Sequence, residues 1–328
     1  MTENLTENQN FTIVYLGSPD FAVKPLLALL DAGYNVPLVI TQPDRPKGRK
    51  RQLTPTAVKQ VAEEKGIKVL ATPNANKPEI IEEIKTVQPD LLVVAAFGQL
   101  MGEELVHTAP MGAINIHGSI LPKYRGASPI QQAIIDGETE TGITIMYIAP
   151  RLDAGDMLAK ATCEIKPQDN TGTLRERLSE IGSDLLLKTI TRMRAGDIIP
   201  EVQDEAAATY AGKITIATEQ IDWQKPAAEL HNLVRGLTPD TSAYTCYVEP
   251  AKDEQQRLKI WQTEVADTEA GNAAPGEVIK ADSNSLMVAT GQGVLKLITV
   301  QPAGKNQMNA AAWWRGRRDL QAAKLIFE

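Results

Sequence analysis

The chain reads as an α/β protein, a doubly wound and mostly parallel sheet followed by a small β-barrel. Through the first part of the sequence, strand-length apolar runs alternate with helix-length stretches, the rhythm of strand–helix–strand units. Leu91-Leu92-Val93-Val94-Ala95-Ala96 is apolar without alternation, which marks a parallel strand covered on both faces. Beyond residue 218 the rhythm changes to about five short strands with little helix between them, as in a barrel of the OB-like kind, a common nucleic-acid platform. The expected divisions are a disordered tail at 1–10, a first domain at 11–197, a linker at 198–217 and a second domain at 218–328. The 328 residues are enough for two cores.

Residues 11–17 form the expected first strand, and Ser18 or Asp20 can cap a helix that runs to Gly33. A dinucleotide-binding turn at this point needs G-x-G-x-x-G. The chain has Gly17-Ser18-Pro19-Asp20-Phe21-Ala22, so pyrophosphate finds no close approach. That excludes a nicotinamide cofactor and leaves the Rossmann-like sheet. Residues 36–41 are a second strand. Thr54-Pro55 opens a helix that Gly66 closes, residues 67–70 are a short strand, and residues 78–87 are helical. Between the second strand and its helix lies the segment 42–53, with Arg45, Lys47, Arg49, Lys50 and Arg51 against the single acid Asp44. Such a cluster on the rim of the sheet suits a phosphate-rich partner and can hold an RNA backbone; a solvated loop is the plainer alternative.

The central stretch is Gly112-Ala113-Ile114-Asn115-Ile116-His117-Gly118-Ser119-Ile120-Leu121-Pro122-Lys123-Tyr124-Arg125-Gly126. Its first half alternates, and side chains two apart on a strand share a face, so Asn115 and His117 point together. An amide can hold a carbonyl oxygen as it gains charge, and an imidazole can move a proton near neutral pH. Residues 130–135 are helical, residues 142–149 form another strand, and Pro150-Arg151-Leu152-Asp153-Ala154-Gly155-Asp156 follows it. Asp153 is the acid expected to meet His117, and Asp156 is its rival, better suited to forming the turn. Thr173-Leu174-Arg175-Glu176 looks like a capping box for a long helix with Leu174, Leu178, Ile181 and Leu185 on one face, ended by Gly196.

In the second domain a helix over 226–237 precedes strands around 241–248, 258–265, 276–281, 286–289 and 294–300, and Gly291-Gln292-Gly293 turns between the last two. The tail carries Lys305, Arg315, Arg317 and Arg318 beside Trp313 and Trp314. Basic residues with aromatics can hold RNA by charge and stacking; equally, the tryptophans can dock a closing helix.

Hydrophobic residues make up 43% and charged residues 23% of the chain, ordinary for a globular protein. The net charge of −7 excludes a protein that coats nucleic acid through global charge, though not one with a local basic patch. Cys163 and Cys246 have no metal-type spacing and form no disulfide framework. The polar first ten residues lack the regions of a signal peptide, and no apolar run is long enough to span a membrane. A cytoplasmic monomer is expected. His107 and His231 lie outside the motif and read as structural or surface groups.

"GSPDFA", "TQPDRPKGR", "SILPKYRGASP", "TGITIM", "LDAGDML" and "VQPAGKNQM" together resemble the folate-dependent formyltransferases, in order and spacing, over residues 11–318. The basic segment and the second domain are similar to the branch of that family acting on charged tRNA. The resemblance implies a formyltransferase fold with 10-formyltetrahydrofolate as donor and no metal. It implies the α-amino group of methionyl-initiator tRNA as acceptor, for the initiation of translation; a small amine on a nucleotide-sugar or glycinamide ribonucleotide is the alternative. It also implies a catalytic set of Asn115, His117 and Asp153. In that set Asn115 and protonated His117 bind the formyl oxygen, and Asp153 orients the histidine and takes the amine proton. Folate contacts are implied at Phe97, Gly98, Leu100, Ser119, Ile120, Leu121 and Pro122. Ala149 and Arg151 depart from the family pattern, in which an acid and a glycine are common.

Overall fold

The computed structural model describes residues 7–48, 52–250, 253–322 and 324–328, excluding the side chain of Lys47. Of the tail expected at 1–10, residues 1–6 lie outside that description, residues 7–9 are helical, and Asn8 Nδ2 donates to Ala32 O at 2.8 Å. The chain divides into two units. The first takes residues up to Pro129, then Glu140–Glu164 and Arg175–Ala211; the second takes Ile130–Thr139, Ile165–Leu174 and Gly212–Glu328.

The first unit carries β1 (Thr12–Gly17), β2 (Asn35–Thr41), β3 (Arg45–Lys47), β4 (Gln52–Thr54), β5 (Lys68–Ala71), β6 (Leu91–Ala95), β7 (Ala113–His117), β8 (Arg125–Gly126), β9 (Glu140–Tyr147), β10 (Met157–Glu164) and β11 (Tyr210–Ala211). Seven of these make one sheet in the order β10-β9-β7-β6-β1-β2-β5. The ladders among β5, β2, β1, β6 and β7 are parallel, and β9 and β10 join antiparallel at one edge. Every residue of β6 is buried, which is why its sequence lacks alternation. Val14, Leu16, Leu38, Ile40, Leu92 and Val94 meet Ile81 and Ile84, from helix Pro78–Thr86, in one core layer.

The parallel strands end together at Gly17, Thr41, Ala95 and His117, and the crevice of a doubly wound sheet opens at such carboxyl ends. Thr56 caps helix Ala57–Glu64 by accepting from Lys59 N at 3.1 Å, so the start signal at residues 54–55 is displaced by two positions.

Three local expectations change. The basic segment is not plain loop: β3 and β4 pair as an antiparallel hairpin, Arg45 opposite Thr54 and Lys47 opposite Gln52. Arg49, Lys50 and Arg51 lie outside the described residues. Strand β10 has no counterpart in the sequence reading, because its Ala-rich run carries weak β-propensity. The long helix spans Thr171–Ala195. It is capped by Asn170, whose Oδ1 accepts from Thr173 N at 3.0 Å while Thr173 Oγ1 accepts from Asn170 N at 3.1 Å. The reciprocal box is therefore one turn earlier than the Thr173–Glu176 reading.

The second unit carries helix Ala227–Leu237 and the strands β12 (Ala243–Glu249), β13 (Glu254–Ala266), β14 (Val278–Ala281), β15 (Leu286–Ala289), β16 (Val294–Pro302) and β17 (Met308–Asn309). They form an antiparallel half-barrel sheet ordered β12-β13-β16-β15-β14, with β17 on β16. Its core gathers Trp223, Leu230, Val234, Leu258, Ile260, Leu295, Leu297 and Phe327. Trp313 belongs to that core. It is 5% exposed, edge-on to Tyr247 at 5.7 Å and stacked towards Phe327 at 6.4 Å. Of the two roles open for the tryptophans, Trp313 takes the docking one, and half-buried Trp314 packs against the same cluster. Among the described residues no helix is long and apolar enough to cross a membrane.

Removing a buried indole leaves a cavity that its neighbours cannot fill. Trp313→Ala is expected to cost about 3–5 kcal/mol of unfolding free energy, read from a denaturant titration of the full chain. A loss under about 1 kcal/mol would contradict the packing role.

Candidate active site

On β7 the apolar side chains of Ile114 and Ile116 are buried to one side, and Asn115 and His117 share the other. His117 is 5% exposed. Its Nε2 lies 2.9 Å from the Tyr124 carbonyl oxygen, and its Nδ1 lies 3.8 Å from Asp153 Oδ2. A carbonyl can only accept, so Nε2 carries the proton and the neutral ring keeps its lone pair on Nδ1. That lone pair faces the carboxylate at a distance longer than a hydrogen bond and within ion-pair range once Nδ1 is protonated. The Asn115 amide makes no hydrogen bond among the described residues and is only half-buried. The structure therefore brings His117 and Asp153 together, with an uncommitted amide on the same strand face.

Asp153 sits in the turn between β9 and β10 with φ at +46°, in the left-handed region that few residue types other than glycine enter. Its Oδ2 accepts from Gly126 N at 2.8 Å. A Cβ on Gly155 would fall 1.8 Å from Tyr147 O, so only glycine lets this loop double back on its strand. Asp156, the rival acid, accepts the Tyr147 N–H on its own carbonyl at 2.9 Å and closes the turn.

The segment that meets both residues is Tyr124-Arg125-Gly126. Tyr124 N donates to Thr209 Oγ1 at 2.9 Å, Arg125 N to Thr209 O at 2.8 Å, and β8 pairs in parallel with β11. A Cβ on Gly126, whose φ is +121°, would lie 2.4 Å from Ala211 O. Arg125 is 1% exposed and heads the fully buried side chains by size among the described residues. Its Nε and Nη2 donate to Gln203 Oε1 at 3.0 and 2.9 Å, and its Nη1 and Nη2 reach Glu205 at 3.1 and 3.0 Å. Gln203 Nε2 in turn donates to the carbonyls of Asp153 at 2.8 Å and Gly155 at 2.7 Å. Residues 201–211, within the stretch expected as a linker, thus belong to the first unit and line the back of the site.

Among the implied folate contacts, Ser119 and Leu121 are used internally. Ser119 Oγ donates to Lys123 O at 2.6 Å, Thr144 Oγ1 donates to Ser119 O at 2.8 Å, and Leu121 is buried with Met146 and Met157. Ile120 and Pro122 remain half-exposed on that loop. The Phe97 side chain is part of the sheet core, so only its backbone is available for a ligand. Gly98 follows with φ at +77°, and Leu100 is 72% exposed. Among the described residues, no group of three or more His, Cys, Asp or Glu side chains is placed to hold a metal ion.

The formyl transferase family model matches residues 10–190, and the model of the formyl transferase C-terminal domain matches residues 213–318. The chain belongs to the formyl transferase family. It is 45% identical over 308 residues to the methionyl-tRNA formyltransferase of Bacillus velezensis, covering 93% of this chain and 94% of that one. Against the enzyme of the same name from Bacillus subtilis it is 44% identical over 305 residues, with the same coverage. Among solved structures, a sugar 3N-formyl transferase, WlaRD, crystallised in the presence of dTDP and 5-N-formyl-THF, is similar at a TM-score of 0.65 and 19% identity over 90% of this chain and 99% of that one. HypX from Aquifex aeolicus in complex with tetrahydrofolic acid is similar at a TM-score of 0.63 and 15% identity, over 93% of this chain and 47% of that one. At these identities the two structures speak for the fold.

The basic residues of this formyl transferase fall into separate groups. Arg45 is exposed and reaches Gln42 Oε1 at 3.4 Å. Asp44, the single acid of residues 42–53 and just ahead of β3, accepts from Lys59 Nζ at 2.9 and 3.0 Å, so its charge is paired from outside that segment. In the second unit Lys305 and Arg318 are exposed without an ion pair among the described residues, and Arg315 donates to Ser283 O at 3.3 Å. Arg317, expected with the other basic residues of the tail, differs from them in having its charge paired within the chain. Its guanidinium is committed to Asp319 at 2.6 Å, Glu249 at 2.5 Å and Tyr247 Oη at 3.1 Å, and the hydrogen bond to Arg317 holds Asp319 below the ordinary carboxylate range. Sequence reasoning missed the outer face of β13, where Arg257 stacks on the Tyr244 ring at 3.9 Å and Lys259 lies 5.9 Å from the Trp261 ring. The alternation Arg257-Leu258-Lys259-Ile260-Trp261 was the available signal. It missed Gln203 as well, for which no local pattern exists.

The Arg125 hydrogen bond, assisted by the charges of Arg125 and Arg151, holds the Glu205 carboxyl below its ordinary value of 4.5. The stabilising share of Glu205 is therefore complete above that value and is lost as pH falls through the lower folded value. The melting-temperature gap between the wild-type chain and Glu205→Gln is expected to be widest above pH 4.5 and to close in acid. A gap that widens in acid would contradict the pairing.

Proposed function

We propose that this formyl transferase moves the formyl group of 10-formyltetrahydrofolate onto the α-amino group of methionyl-initiator tRNA. The observation that carries the chemistry is the His117 lone pair turned towards Asp153 beside the open Asn115 amide. The acceptor rests on the name of the relatives at 44–45% identity, matched along nearly their whole length. The basic segment between β2 and its following helix favours a macromolecular amine over a small one; the second unit does not discriminate, since the sugar 3N-formyl transferase aligns over 90% of this chain.

The neutral amine attacks the formyl carbon, a C–N bond forms, and the carbonyl oxygen gains negative charge. Asn115 donates a hydrogen bond to that oxygen. The roles differ from those the resemblance implied, in which protonated His117 binds the oxygen and Asp153 takes the amine proton. With Nε2 engaged by Tyr124, neutral His117 takes the proton released by the amine on Nδ1, and the imidazolium pairs with Asp153. The proton then passes to the folate nitrogen as its bond to carbon breaks, leaving tetrahydrofolate and the formylated aminoacyl-tRNA. The folate lies along the loop of Ile120 and Pro122 and the backbone at Phe97 and Gly98. The tRNA backbone meets Arg45, Lys47, Arg49, Lys50 and Arg51, and the second unit offers Arg257, Lys259, Lys305, Arg315 and Arg318.

Formyl transfer from 10-formyltetrahydrofolate is measured with charged initiator tRNA, with elongator tRNA and an amino sugar nucleotide as controls. Initiator tRNA should be the preferred acceptor, and preference for the amino sugar would overturn the reading. Asn115→Ala should lower turnover by ~10²–10³, and His117→Ala or Asp153→Asn by ~10²–10⁴. Near-normal turnover in any of the three removes that residue from the scheme.

Replacing Arg45, Lys47, Arg49 and Lys50 with Gln should raise the tRNA KM. The same change should flatten its dependence on log salt concentration by ~0.7–0.9 for each phosphate that is no longer neutralised. An unchanged slope would place the phosphate-binding cations elsewhere on the protein.

A further inference from the structure

We infer that Gln203, held from behind by Arg125, is a positioning residue that sets Asp153 opposite His117. The inference rests on the function proposed above for Asp153 and adds two residues to it.

Gln203 is buried, and its amide uses its whole hydrogen-bonding capacity. Arginine can only donate, so the oxygen end faces Arg125 and accepts twice, at 3.0 and 2.9 Å. Carbonyls can only accept, so the nitrogen end faces Asp153 and Gly155 and donates twice, at 2.8 and 2.7 Å. No other side chain of this length offers two donors and a double acceptor in one plane. Glutamate could pair with Arg125 but would turn an acceptor towards two carbonyls.

The contacts close a ring. Gly126 N holds the Asp153 carboxylate, Gln203 holds the Asp153 carbonyl, and Arg125, the residue bonded to Gly126, holds Gln203. Asp153 is thus gripped at both its side chain and its backbone while its φ stays at +46°. A left-handed non-glycine residue persists where its surroundings over-determine it. His117 is held by the preceding carbonyl, that of Tyr124. The 3.8 Å between imidazole and carboxylate is therefore a dimension of this ring, and Gln203 is its distant member, 50 residues from Asp153 along the chain. Displacement of a reacting group by about 1 Å can cost ~10²-fold in rate.

Gln203→Met keeps the side chain's length and removes all four bonds. It should lower kcat by ~10–100-fold and leave the KM for folate donor and for tRNA within about twofold. In an Asp153→Asn background the same substitution should cost less than about twofold, because a residue that acts through Asp153 has nothing left to position. A merely structural role gives the same fold-loss in both backgrounds, and that result overturns the inference. So does wild-type kcat in the single variant. Should Gln203→Met fail to fold, Arg125→Lys, which keeps the charge and loses the double donation to Oε1, enters the same cycle with the same expectations. If the wild-type chain formylates a small amine in place of tRNA, the cycle is run on that acceptor. The reading of the substrate then fails alone, and the reading of Gln203 is still decided.

Discussion

The hydrogen bond from His117 Nε2 to the Tyr124 carbonyl is the contact from which the rest of the site takes its meaning. A backbone carbonyl has no proton to give, so this bond chooses the tautomer and leaves the basic nitrogen on the side of Asp153. It also ties the ring to a tripeptide that governs the other half of the pair. The Tyr124 carbonyl holds the base, the Arg125 side chain reaches the loop backbone through Gln203, and the Gly126 N–H holds the carboxylate. Three consecutive residues thereby set two groups that lie on different segments of the chain.

This arrangement explains the cost accepted at several positions. Tyr124 and Asp153 both occupy left-handed backbone, and a guanidinium is taken almost wholly out of water. Buried charge is tolerated when its donors find partners, and Arg125 makes four hydrogen bonds to Gln203 and Glu205, with Tyr210 as a further partner. The partners come from residues 201–211, which follow the long helix and return to the sheet. The parallel strands deliver Asn115 and His117, but the distance between base and acid is set by segments that contribute little regular structure.

Much of this was legible in the sequence because the physical signals are local. The unbroken apolar run at residues 91–96, the alternation through Ile114–Asn115–Ile116–His117 and the glycine-bounded loop holding Asp153 each reflect one element's own burial pattern. The five main strands of the second unit were legible for the same reason. What escaped depended on partners far away in the chain. Gln203 looks like a linker residue until Asp153 and Arg125 are beside it. The β3–β4 hairpin is hidden by its charge, and β10 by its alanines. Arg317 and Arg318 are neighbours of the same charge, yet the first is closed into an ion-pair cluster. No composition argument separates them.

The orientation of the imidazole is open to a direct test. Nitrogen-15 NMR of histidine-labelled chain, without substrate, distinguishes the two neutral tautomers at the resonances of His117. The bond to Tyr124 requires the proton on Nε2 and the lone pair on Nδ1 in the neutral ring, with the Nδ1 resonance responding to Asp153→Asn. A proton found on Nδ1 of the neutral ring, or an Nδ1 signal indifferent to Asp153, would contradict it.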